Sequence, residues 1–568
     1  MKFSSREVKT ASLDQLNTLC EELREEIYRT VTRRGGHLSS NLGAVELTVA
    51  LHRVFDFPSD KLVFDVGHQC YTHKLLSDRA DRFHTLRSRG GISGFPKREE
   101  SAYDCYDTGH AGTALSAALG IAKARDLKGE SFHVIALVGD GSFNNGLIYE
   151  ALNSLSILKT NVLILLNDNG MSISPTVGGT HEVLEELKGE AIPSEDVRLF
   201  ERYGLLYEGI CNGNDLSELL PALTLAKEKL KETSVLLHVV TKKGQGYPFA
   251  ESAPLETHGV SPNAAGSEYS TALGEELCSL AKDDKRIVAV TAAMTDALGL
   301  RTFFERYPDR AFDVGICEEH ASVLSAALAT EGMKPYYAIY STFLQRAFDE
   351  IIHDVCLQNL PVTFCIDRAG ISGPDGETHQ GVFDLSYLSL IPNLTIAVPK
   401  SIGEFRAMLR LSADYNAPLA IRYPREGTDD AINEVKIGKF EVLHSTMSDI
   451  IVLAAGERAI QIAENARSVL LKCGEDFTLV NARFLKPLDE ALLKKFCGKH
   501  VITVEDNAAI GGFGDAVSRF YRGSDTKVHC LAYRDVFIPH GEAKALAEEF
   551  GVSAEKLLAV IGEIHACR

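Results

Sequence analysis

Residues Val134–Asn169 read VIALVGDGSFNNGLIYEALNSLSILKTNVLILLNDN, and this pattern predicts the fold of the domain that contains it. The first apolar run ends in Gly-Asp-Gly at 139–141, and helical periodicity follows over Gly146–Leu158. The second apolar run ends in Asn-Asp-Asn at 167–169. Strand, helix and strand in this order predict a βαβ unit whose two strands are adjacent and parallel.

Short apolar runs alternate with helical periodicity along the rest of the chain, which predicts the α/β class with parallel sheets. Ligands of such sheets bind at the carboxyl ends of the strands, so polar residues that follow the runs are the candidates for a site. The predicted strands include Phe132–Val138, Asn161–Asn167, Arg286–Ala293, Phe312–Cys317, Val362–Asp367, Asp449–Ala455 and His500–Glu505.

Two breaks in this alternation predict the domain organisation. Ser252–Ser270 is rich in Pro, Ala, Ser, Gly and Asn and lacks periodicity, so we expect a linker there. A second break falls near Gly427–Lys439, after the strand-like Ala420–Tyr423. The chain has 568 residues, enough for three or four domains of about 100–200 residues. We therefore predict three α/β domains, at roughly 1–262, 268–428 and 436–568.

The composition excludes several classes of protein. The formal net charge of -19 argues against nonspecific binding to nucleic acid or to anionic membranes. The 12 cysteines are scattered and form no C-x-x-C pair, which favours free thiols in a reducing compartment. Residues 1–18 contain no apolar leader, and no apolar run is long enough to span a membrane. We therefore expect a cytoplasmic protein.

Asp140 and Asn169 come just after the two strands of the βαβ unit, so we expect their side chains to lie together. Their oxygens are hard ligands that suit Mg²⁺ or Ca²⁺, and the glycines beside Asp140 allow close approach of a phosphate. Gly-Asp-Gly alone is also compatible with an ordinary turn, but its spacing from Asn-Asp-Asn resembles the thiamine-diphosphate signature. That resemblance implies Mg²⁺ held by Asp140, Asn169 and the carbonyl of Met171. It also implies cofactor contacts from Gly141, Ser142, Asn169, Ile173 and Lys243.

Glu318 is the candidate for the carboxylic acid that thiamine chemistry requires beside the aminopyrimidine ring. It follows the predicted strand Phe312–Cys317 and precedes a helical pattern over Glu319–Glu331. A carboxylate at this position is also compatible with simple stabilisation of a helix N-terminus. Together with the metal signature, the position favours Glu318, and Glu319 is predicted to be a residue of the first helical turn.

The longer motifs of the chain resemble those of the 1-deoxy-D-xylulose-5-phosphate synthase family, in a shortened form. They follow one another in the family's order from residue 36 to residue 425, and the last domain resembles the transketolase C-terminal domain. The matching stretches are Gly36–His52, Asp65–Gln69, Tyr71–Lys74, Asn167–Ser174, Ala338–Ala347, Ile366–Gly370, Asp375–Gly381 and Arg422–Arg425, with Gly511–Gly514 in the last domain.

The resemblance implies decarboxylation of pyruvate and condensation with D-glyceraldehyde 3-phosphate to give 1-deoxy-D-xylulose 5-phosphate and CO₂. It implies thiamine diphosphate and Mg²⁺ as cofactors, a homodimer, and a role in isoprenoid, thiamine and pyridoxal biosynthesis. Glu318 would activate the cofactor and Phe343 would pack against its aminopyrimidine. The implied proton-handling residues are His37, His68, His258 and His379; the implied acceptor-binding residues are Tyr340, Arg346, Arg368, Asp375 and Arg425. We expect His52, His110 and His353 to be ordinary core or surface residues.

Several features depart from the family pattern. Glu319 stands where a Gln is usual, Val177–Leu206 is short, Cys211–Asp215 replaces a Val-Asp-Gly-His-Asp stretch, and the sequence after His258 diverges. Two other functions therefore stay open: a transketolase-like ketol transferase, and a silent paralogue that only binds cofactor or partners. The stretch from Asp367 to His379 favours the synthase.

Overall fold

A computed structural model describes residues 4–172, 176–189, 194–260, 268–430, 432 and 434–566. The chain divides into two compact units, Met1–Ala264 with Gly315–Cys317 and Ala265–Val314 with Glu318–Arg568. In the part of the chain that is described, no helix is both long and apolar enough to cross a membrane.

The first unit is built on one five-stranded sheet in which all pairs of neighbouring strands are parallel. Its strands are β1 (Lys61–Phe64), β2 (Val134–Gly139), β3 (Leu163–Asp168), β4 (Leu205–Asn212) and β5 (Ser234–Val240), in the spatial order β1-β2-β3-β5-β4. The predicted βαβ unit is therefore present, with β2 next to β3 and Gly139 in register with Asn167.

Helices cover this sheet. They are α1 (Ser5–Thr10), α2 (Leu13–Arg34), α3 (Ser39–Gly43), α4 (Val45–Val54), α5 (Tyr71–Lys74), α6 (Ala114–Lys128), α7 (Asp140–Phe143), α8 (Gly146–Leu158), α9 (Gly179–Leu187), α10 (Ser194–Arg202), α11 (Leu216–Lys229) and α12 (Pro248–Ser252). The helix α8 has the predicted bounds because the Asn145 side chain caps it, accepting a hydrogen bond from the Leu147 amide at 3.1 Å.

The sheet is buried on both faces, which explains why its strands read as unbroken apolar runs. Ile135 and Leu137 of β2 belong to one core cluster, together with Leu51 of α4. Ala136 and Val138 point the other way, into a second cluster. A strand that is half-buried alternates polar and apolar residues, whereas a strand covered on both faces does not.

A buried polar network lies inside the first unit. The Nε2 of His52 is 2.9 Å from Nδ1 of His73, and His73 Nε2 is 3.1 Å from Oδ1 of Asp104. Arg79 donates two hydrogen bonds to the Asp104 carboxylate. Burial opposes ionisation of Asp104, but the bonds from Arg79 and His73 outweigh it and lower the pKa. His52 is thus a hydrogen-bonded core residue, while the side chain of His353 is 69% exposed.

The second unit contains two sheets. The strands are β6 (Ile287–Thr291), β7 (Ala311–Asp313), β8 (Lys334–Tyr340), β9 (Thr363–Asp367), β10 (Thr395–Ala397), β11 (Leu419–Arg422), β12 (Glu441–His444), β13 (Ile450–Ala455), β14 (Thr478–Asn481), β15 (Phe484–Lys486), β16 (His500–Ala508) and β17 (Lys527–Tyr533). The first sheet has the order β15-β10-β11-β9-β8-β6-β7 and the second the order β12-β14-β13-β16-β17. Among the described residues of this unit, the pairs β10–β15 and β12–β14 are antiparallel and the other pairs are parallel.

Helices again flank both sheets, so the predicted α/β class with parallel-dominated sheets is confirmed. They are α13 (Glu268–Asp283), α14 (Arg301–Arg306), α15 (Glu318–Thr330), α16 (Ser341–Leu344), α17 (Phe348–Glu350), α18 (Asp384–Ser389), α19 (Ile402–Asp414), α20 (Glu457–Leu471), α21 (Glu490–Leu493), α22 (Phe513–Phe520), α23 (Ala543–Glu549) and α24 (Ala554–Ala566). At the start of α22 the amides of Phe513 and Gly514 donate to the buried carboxylate of Glu505, which occupies the position an anion would take.

Two local expectations differ from the structure. The strand predicted over Phe312–Cys317 extends only over β7, because Gly315 adopts a left-handed conformation with φ of 72° and turns the chain. The predicted linker Ser252–Ser270 contains regular structure at both ends of its described residues, since Val260 pairs with Gly36 and α13 already begins at Glu268. Residues 261–267 of that linker lie outside the described residues. The predicted domain boundaries themselves stay predictions.

The Asp104 network predicts a large loss of stability when its charge is removed. Asp104→Asn removes the nearer of the two carboxylates that pair with the buried Arg79 and leaves it with Glu100 at 3.5 Å; breaking a buried ion pair of this kind costs about 3–5 kcal/mol. We expect the melting temperature of the first unit to fall by roughly 6 °C or more, measured by calorimetry. The control is Asp56→Asn. Like Asp104, Asp56 pairs with a basic residue, here Lys9, but its side chain is 70% exposed. Equal small shifts for both variants would contradict a structural role for the network.

Candidate active site

Asp140 and Asn169 lie together at the carboxyl ends of β2 and β3. The Asn169 amide donates to Oδ1 of Asp140 at 3.4 Å, and the Thr176 hydroxyl donates to Oδ2 at 2.7 Å. The side-chain oxygen of Asn169 accepts from the Met171 amide at 3.1 Å. Burial raises the pKa of Asp140 to about 6, against the effect of the Thr176 bond. A buried carboxylate of this kind is stabilised in its charged form by a cation.

Gly141 and Lys243 complete this end of the sheet. A Cβ on Gly141 would lie 2.7 Å from the Cβ of Ser172, so only glycine allows the two loops to approach this closely. Lys243 is buried and donates to the Ser172 carbonyl at 2.7 Å. Burial lowers the pKa of Lys243 to about 8, although the charge of Asp140 opposes this. A buried ammonium group beside a glycine turn is a suitable partner for a phosphate oxygen.

The loop after β3 is held from behind by a buried acid. Asp168 accepts hydrogen bonds from His238 Nε2 and from Lys188 Nζ, both at 2.9 Å. Burial opposes its ionisation, but these two partners outweigh burial and lower the pKa of Asp168. Asp168 therefore fixes the position of Asn169. The position of Asp168 in the Asn-Asp-Asn motif could have identified it from the sequence. Nothing in the sequence indicated that Thr176 binds Asp140.

Three of the predicted histidines form one cluster in the first unit. The ring centroids of His37, His68 and His258 are 5.3–5.6 Å apart. The side-chain amide of Asn41 donates to the carbonyls of both His37 and His68, at 2.7 and 2.6 Å. Ser40 Oγ lies 3.2 Å from Nδ1 of His258. Burial lowers the pKa of His258, and the charges of Lys243, His37 and His68 act in the same direction. The lowered pKa favours neutral His258, in which one ring nitrogen donates a hydrogen bond and the other accepts one.

No group of three or more His, Cys, Asp and Glu side chains suited to a metal ion occurs in the described part of the chain. The ligand set implied by the sequence contains one such side chain, Asp140, together with an amide oxygen and a backbone carbonyl. Such a ligand set does not need a group of three of those side chains. The carbonyl belongs to Met171, while the predicted cofactor contact Ile173 lies outside the described residues.

In the second unit Glu318 is the first residue of α15 and is 4% exposed. Arg346 Nη1 is 3.6 Å from its Oε2, which is an ion pair but too long for a hydrogen bond. Burial raises the pKa of Glu318, although the charge of Arg346 opposes this. Within the residues that the structure describes, Oε2 of Glu318 is a buried atom without a hydrogen-bond partner. A buried polar atom in this condition is suited to a ligand group.

An aromatic surface lies near the end of β8 in the same unit. The rings of Tyr340 and Phe343 are stacked with centroids 5.7 Å apart, and His379 meets Phe343 edge-on at 5.6 Å. The hydroxyl of Thr378 is 2.8 Å from Nδ1 of His379, which fixes the orientation of the imidazole. This surface can hold a flat ring, and it presents one histidine that can exchange a proton.

Charged groups surround the Tyr340 hydroxyl. Arg368 follows β9, Arg425 follows β11, and these strands are adjacent and parallel, as expected from the sequence. The guanidinium of Arg368 lies 4.6 Å from the Tyr340 ring centroid and pairs with Asp367 at 2.8 Å. Burial raises the pKa of Tyr340, while the charges of Arg368 and Arg425 lower it and that of Asp375 raises it. These groups can bind a phosphorylated, hydroxylated ligand.

Two departures from the family pattern have structural counterparts. Asn214, within the Cys211–Asp215 stretch, donates to the Gly43 carbonyl at 3.0 Å and accepts from the Lys242 amide at 2.7 Å. It thus ties the turn before Lys243 to the end of α3. Glu319 is partly buried beside Glu318, and its charge acts to raise the pKa of that neighbour.

Comparisons with known proteins agree with this architecture. Residues 266–429 match the family model for the transketolase pyrimidine binding domain, and residues 438–557 match that for the transketolase C-terminal domain. A solved transketolase from Campylobacter jejuni is 19% identical over 97% of this chain and 100% of its own, with a TM-score of 0.46. The two family models place the second unit in the transketolase-like class.

The first unit narrows the assignment from the transketolase-like class to one family. Residues 3–198 match the family model for 1-deoxy-D-xylulose-5-phosphate synthase. The synthase of Clostridium tetani is 44% identical over 97% of each chain, and that of Dictyoglomus thermophilum is 44% identical over 99% of this chain and 98% of its own. The chain belongs to the 1-deoxy-D-xylulose-5-phosphate synthase family. The family assigned from sequence motifs is thus confirmed, and membership implies thiamine diphosphate as cofactor. The alignment with the C. tetani protein is 603 positions long, whereas this chain has 568 residues. The alignment therefore contains gaps in this chain, as expected for a shortened variant.

Proposed function

We propose that this chain decarboxylates pyruvate and joins the remaining two carbons to D-glyceraldehyde 3-phosphate, giving 1-deoxy-D-xylulose 5-phosphate and CO₂. The product would feed isoprenoid precursor synthesis, and also thiamine and pyridoxal synthesis. The observation that carries the proposal is the match to curated synthases, at 44% identity over 97% of the chain. The intact polar residues at the strand ends support it, because a silent paralogue would be free to lose them.

Thiamine diphosphate and Mg²⁺ fit the first unit. Asp140, Asn169 and the Met171 carbonyl would hold the metal, since a cation removes the cost of burying the Asp140 charge. Gly141, Ser142 and Lys243 would receive the diphosphate, whose charge matches the buried ammonium. The bound cofactor supplies the electron sink that allows a 2-oxo acid to lose CO₂.

Other candidate residues would transfer protons and orient the cofactor. Glu318, with a raised pKa and an unused buried oxygen, would hold a hydrogen bond to the aminopyrimidine ring, and Phe343 would pack against that ring. His37, His68, His258 and His379 would exchange protons with substrate oxygens, in the neutral state that burial favours for His258.

The acceptor would bind to the charged groups around Tyr340. Arg368 and Arg425 carry the positive charge that a phosphate requires, and Asp375 would accept hydrogen bonds from acceptor hydroxyls. The resemblance also assigns Arg346 to the acceptor. Because Arg346 forms an ion pair with Glu318, it would also favour the charged form of that acid. We also propose a cytoplasmic homodimer, by analogy with the family; light scattering of the purified protein tests the oligomeric state.

The decisive experiment mixes purified protein, thiamine diphosphate, Mg²⁺ and pyruvate, with and without glyceraldehyde 3-phosphate. Release of CO₂ and formation of deoxyxylulose phosphate support the synthase. Transfer from a ketose phosphate donor instead of pyruvate would indicate a transketolase-like enzyme. Cofactor binding without turnover of either donor would indicate a silent paralogue.

Asp140→Ala should abolish retention of the cofactor. The variant should therefore be inactive both with and without added metal. The reason is that the variant removes the carboxylate at the paired strand ends while leaving Asn169 in place. Titration calorimetry with thiamine diphosphate and Mg²⁺ measures the effect. Wild-type affinity in the variant would refute the assignment of this loop.

Glu318→Ala should fold, bind the cofactor and lose activity by at least about 10². Glu319→Gln is the matched control, because it restores the residue usual in the family and should change activity little. Steady-state assays of both variants distinguish the two acids. An inactive Glu319→Gln beside an active Glu318→Ala would show that the wrong carboxylate was chosen.

Arg425→Ala should reduce kcat/KM for glyceraldehyde 3-phosphate about ten- to over a hundred-fold. Loss of one charge-assisted contact costs roughly 1.5–3 kcal/mol. Decarboxylation of pyruvate without acceptor should barely change. Unphosphorylated glyceraldehyde should be a poor acceptor for the wild type and about equally poor for the variant. If both aldehydes lose the same factor, Arg425 does not bind the phosphate.

A further inference from the structure

The segment 368–381, here called the acceptor loop, carries Arg368, Asp375 and His379. It is closed at its base by a pair of backbone hydrogen bonds between Gly370 and Gly381, at 2.7 and 2.8 Å. Inside the loop, the Gln380 side chain accepts from the amides of Ser372 and Gly373 at 2.8 and 3.0 Å. The loop is thus an ordered structure, and its position depends on what holds its base.

The base of the loop rests on Asp506, which lies on β16 in the last sheet and is 5% exposed. A Cβ on Gly370 would lie 1.8 Å from Oδ2 of Asp506, so the carboxylate is packed directly against the loop backbone. The Ile371 amide approaches Oδ1 at 3.4 Å. The Asp506 carbonyl accepts from Arg422 Nη2 at 2.6 Å, and Arg422 also donates to the Gly381 carbonyl at 3.2 Å.

Two further side chains of the last domain fix Asp506 itself. Arg458, on α20, pairs with Oδ2 of Asp506 at 2.8 Å and donates to the Ile371 carbonyl at 3.3 Å. The hydroxyl of the buried Tyr533, on β17, donates to Oδ1 of Asp506. Arg458 therefore contacts both the carboxylate and the loop. The loop is also held at its other side, where Gln380 donates to the Pro539 carbonyl at 3.2 Å.

We propose that Asp506, held by Arg458 and Tyr533, is a positioning residue that sets the acceptor loop for the phosphorylated aldehyde. The proposal rests on the proposed function, since the loop's substrate is the acceptor assigned there. Asp506 and Arg458 touch the backbone at Gly370 and Ile371, two and three residues after Arg368. A shift at this point displaces the groups that hold the aldehyde, and small displacements of bound substrate lower rates strongly.

The test compares Asp506→Asn and Arg458→Met with the wild type in two assays. Decarboxylation of pyruvate in the absence of acceptor reports the donor half of the reaction. Product formation over a range of glyceraldehyde 3-phosphate concentrations reports the acceptor half. We expect KM for the aldehyde to rise and its kcat/KM to fall about tenfold. KM for pyruvate and acceptor-free CO₂ release should stay within about twofold of the wild type.

Arg483→Met is the control, because Arg483 is another arginine of the last domain with a carboxylate partner; its side chain is 8% exposed, against 26% for Arg458. Its Nε lies 2.8 Å from Oε1 of Glu404 on α19, which is not part of the acceptor loop. Because Arg483 is the more buried of the two, the control should lower the melting temperature at least as much as Arg458→Met while leaving KM for the aldehyde unchanged. This separates positioning from a general loss of stability.

The outcomes are distinct. A rise in the aldehyde KM for Asp506→Asn and Arg458→Met, but not for the control, supports the proposal. Variants that match the wild type, lose both half-reactions equally, or behave like Arg483→Met overturn it. If Asp506→Asn does not fold, Arg458→Met alone decides by the same criteria. A wild-type protein that makes no deoxyxylulose phosphate overturns the proposed function instead.

Discussion

Parallel pairing of adjacent strands is the constraint from which the candidate site follows. The strands β2 and β3 end side by side, so Asp140 and Asn169 are brought together without any dedicated loop. The strands β9 and β11 likewise end side by side and are followed by Arg368 and Arg425. Because all strands of a parallel sheet point the same way, polar residues placed after apolar runs collect at one edge. The fold brings these positions together, and the side chains at them determine which ligands and reactions are possible there.

The same constraint explains how much of the fold the sequence could predict. Crossover connections put helices on both faces of the sheets, so strands such as β2 and β9 appear as continuous apolar runs. The strand predicted at β7 was too long, because the apolar residues continue into Val314–Cys317, where Gly315 turns the chain. The bridge between Gly36 and Val260 was not foreseen either. It joins residues far apart in the chain, and a composition typical of linkers carries no information about such a pair.

The site was predictable to the extent that its residues stand in local motifs. Asp140 and Asn169 directly follow β2 and β3, and Glu318 begins α15, so position and residue type were enough to select all three as candidates. The residues that orient them were missed. Thr176 binds Asp140 and Asn41 fixes His37 and His68, yet a Thr or an Asn in a loop is unremarkable in sequence. Their importance arises from which partner the fold brings near, and that is a property of the tertiary structure.

The charged groups of the site are unfavourable for the folded chain taken alone. Burial moves the pKa of Asp140 from an ordinary value of 3.8 to about 6, which corresponds to about 3 kcal/mol of destabilised charge. Lys243 and Glu318 are shifted in the same sense, each toward its neutral form. By contrast Asp104 and Asp168, which only support the structure, have partners that outweigh their burial. Asp104 and Asp168 are thus neutralised within the chain, whereas the charges of Asp140 and Lys243 would be neutralised by a bound ligand. Part of the stability of the site would then be gained only on binding.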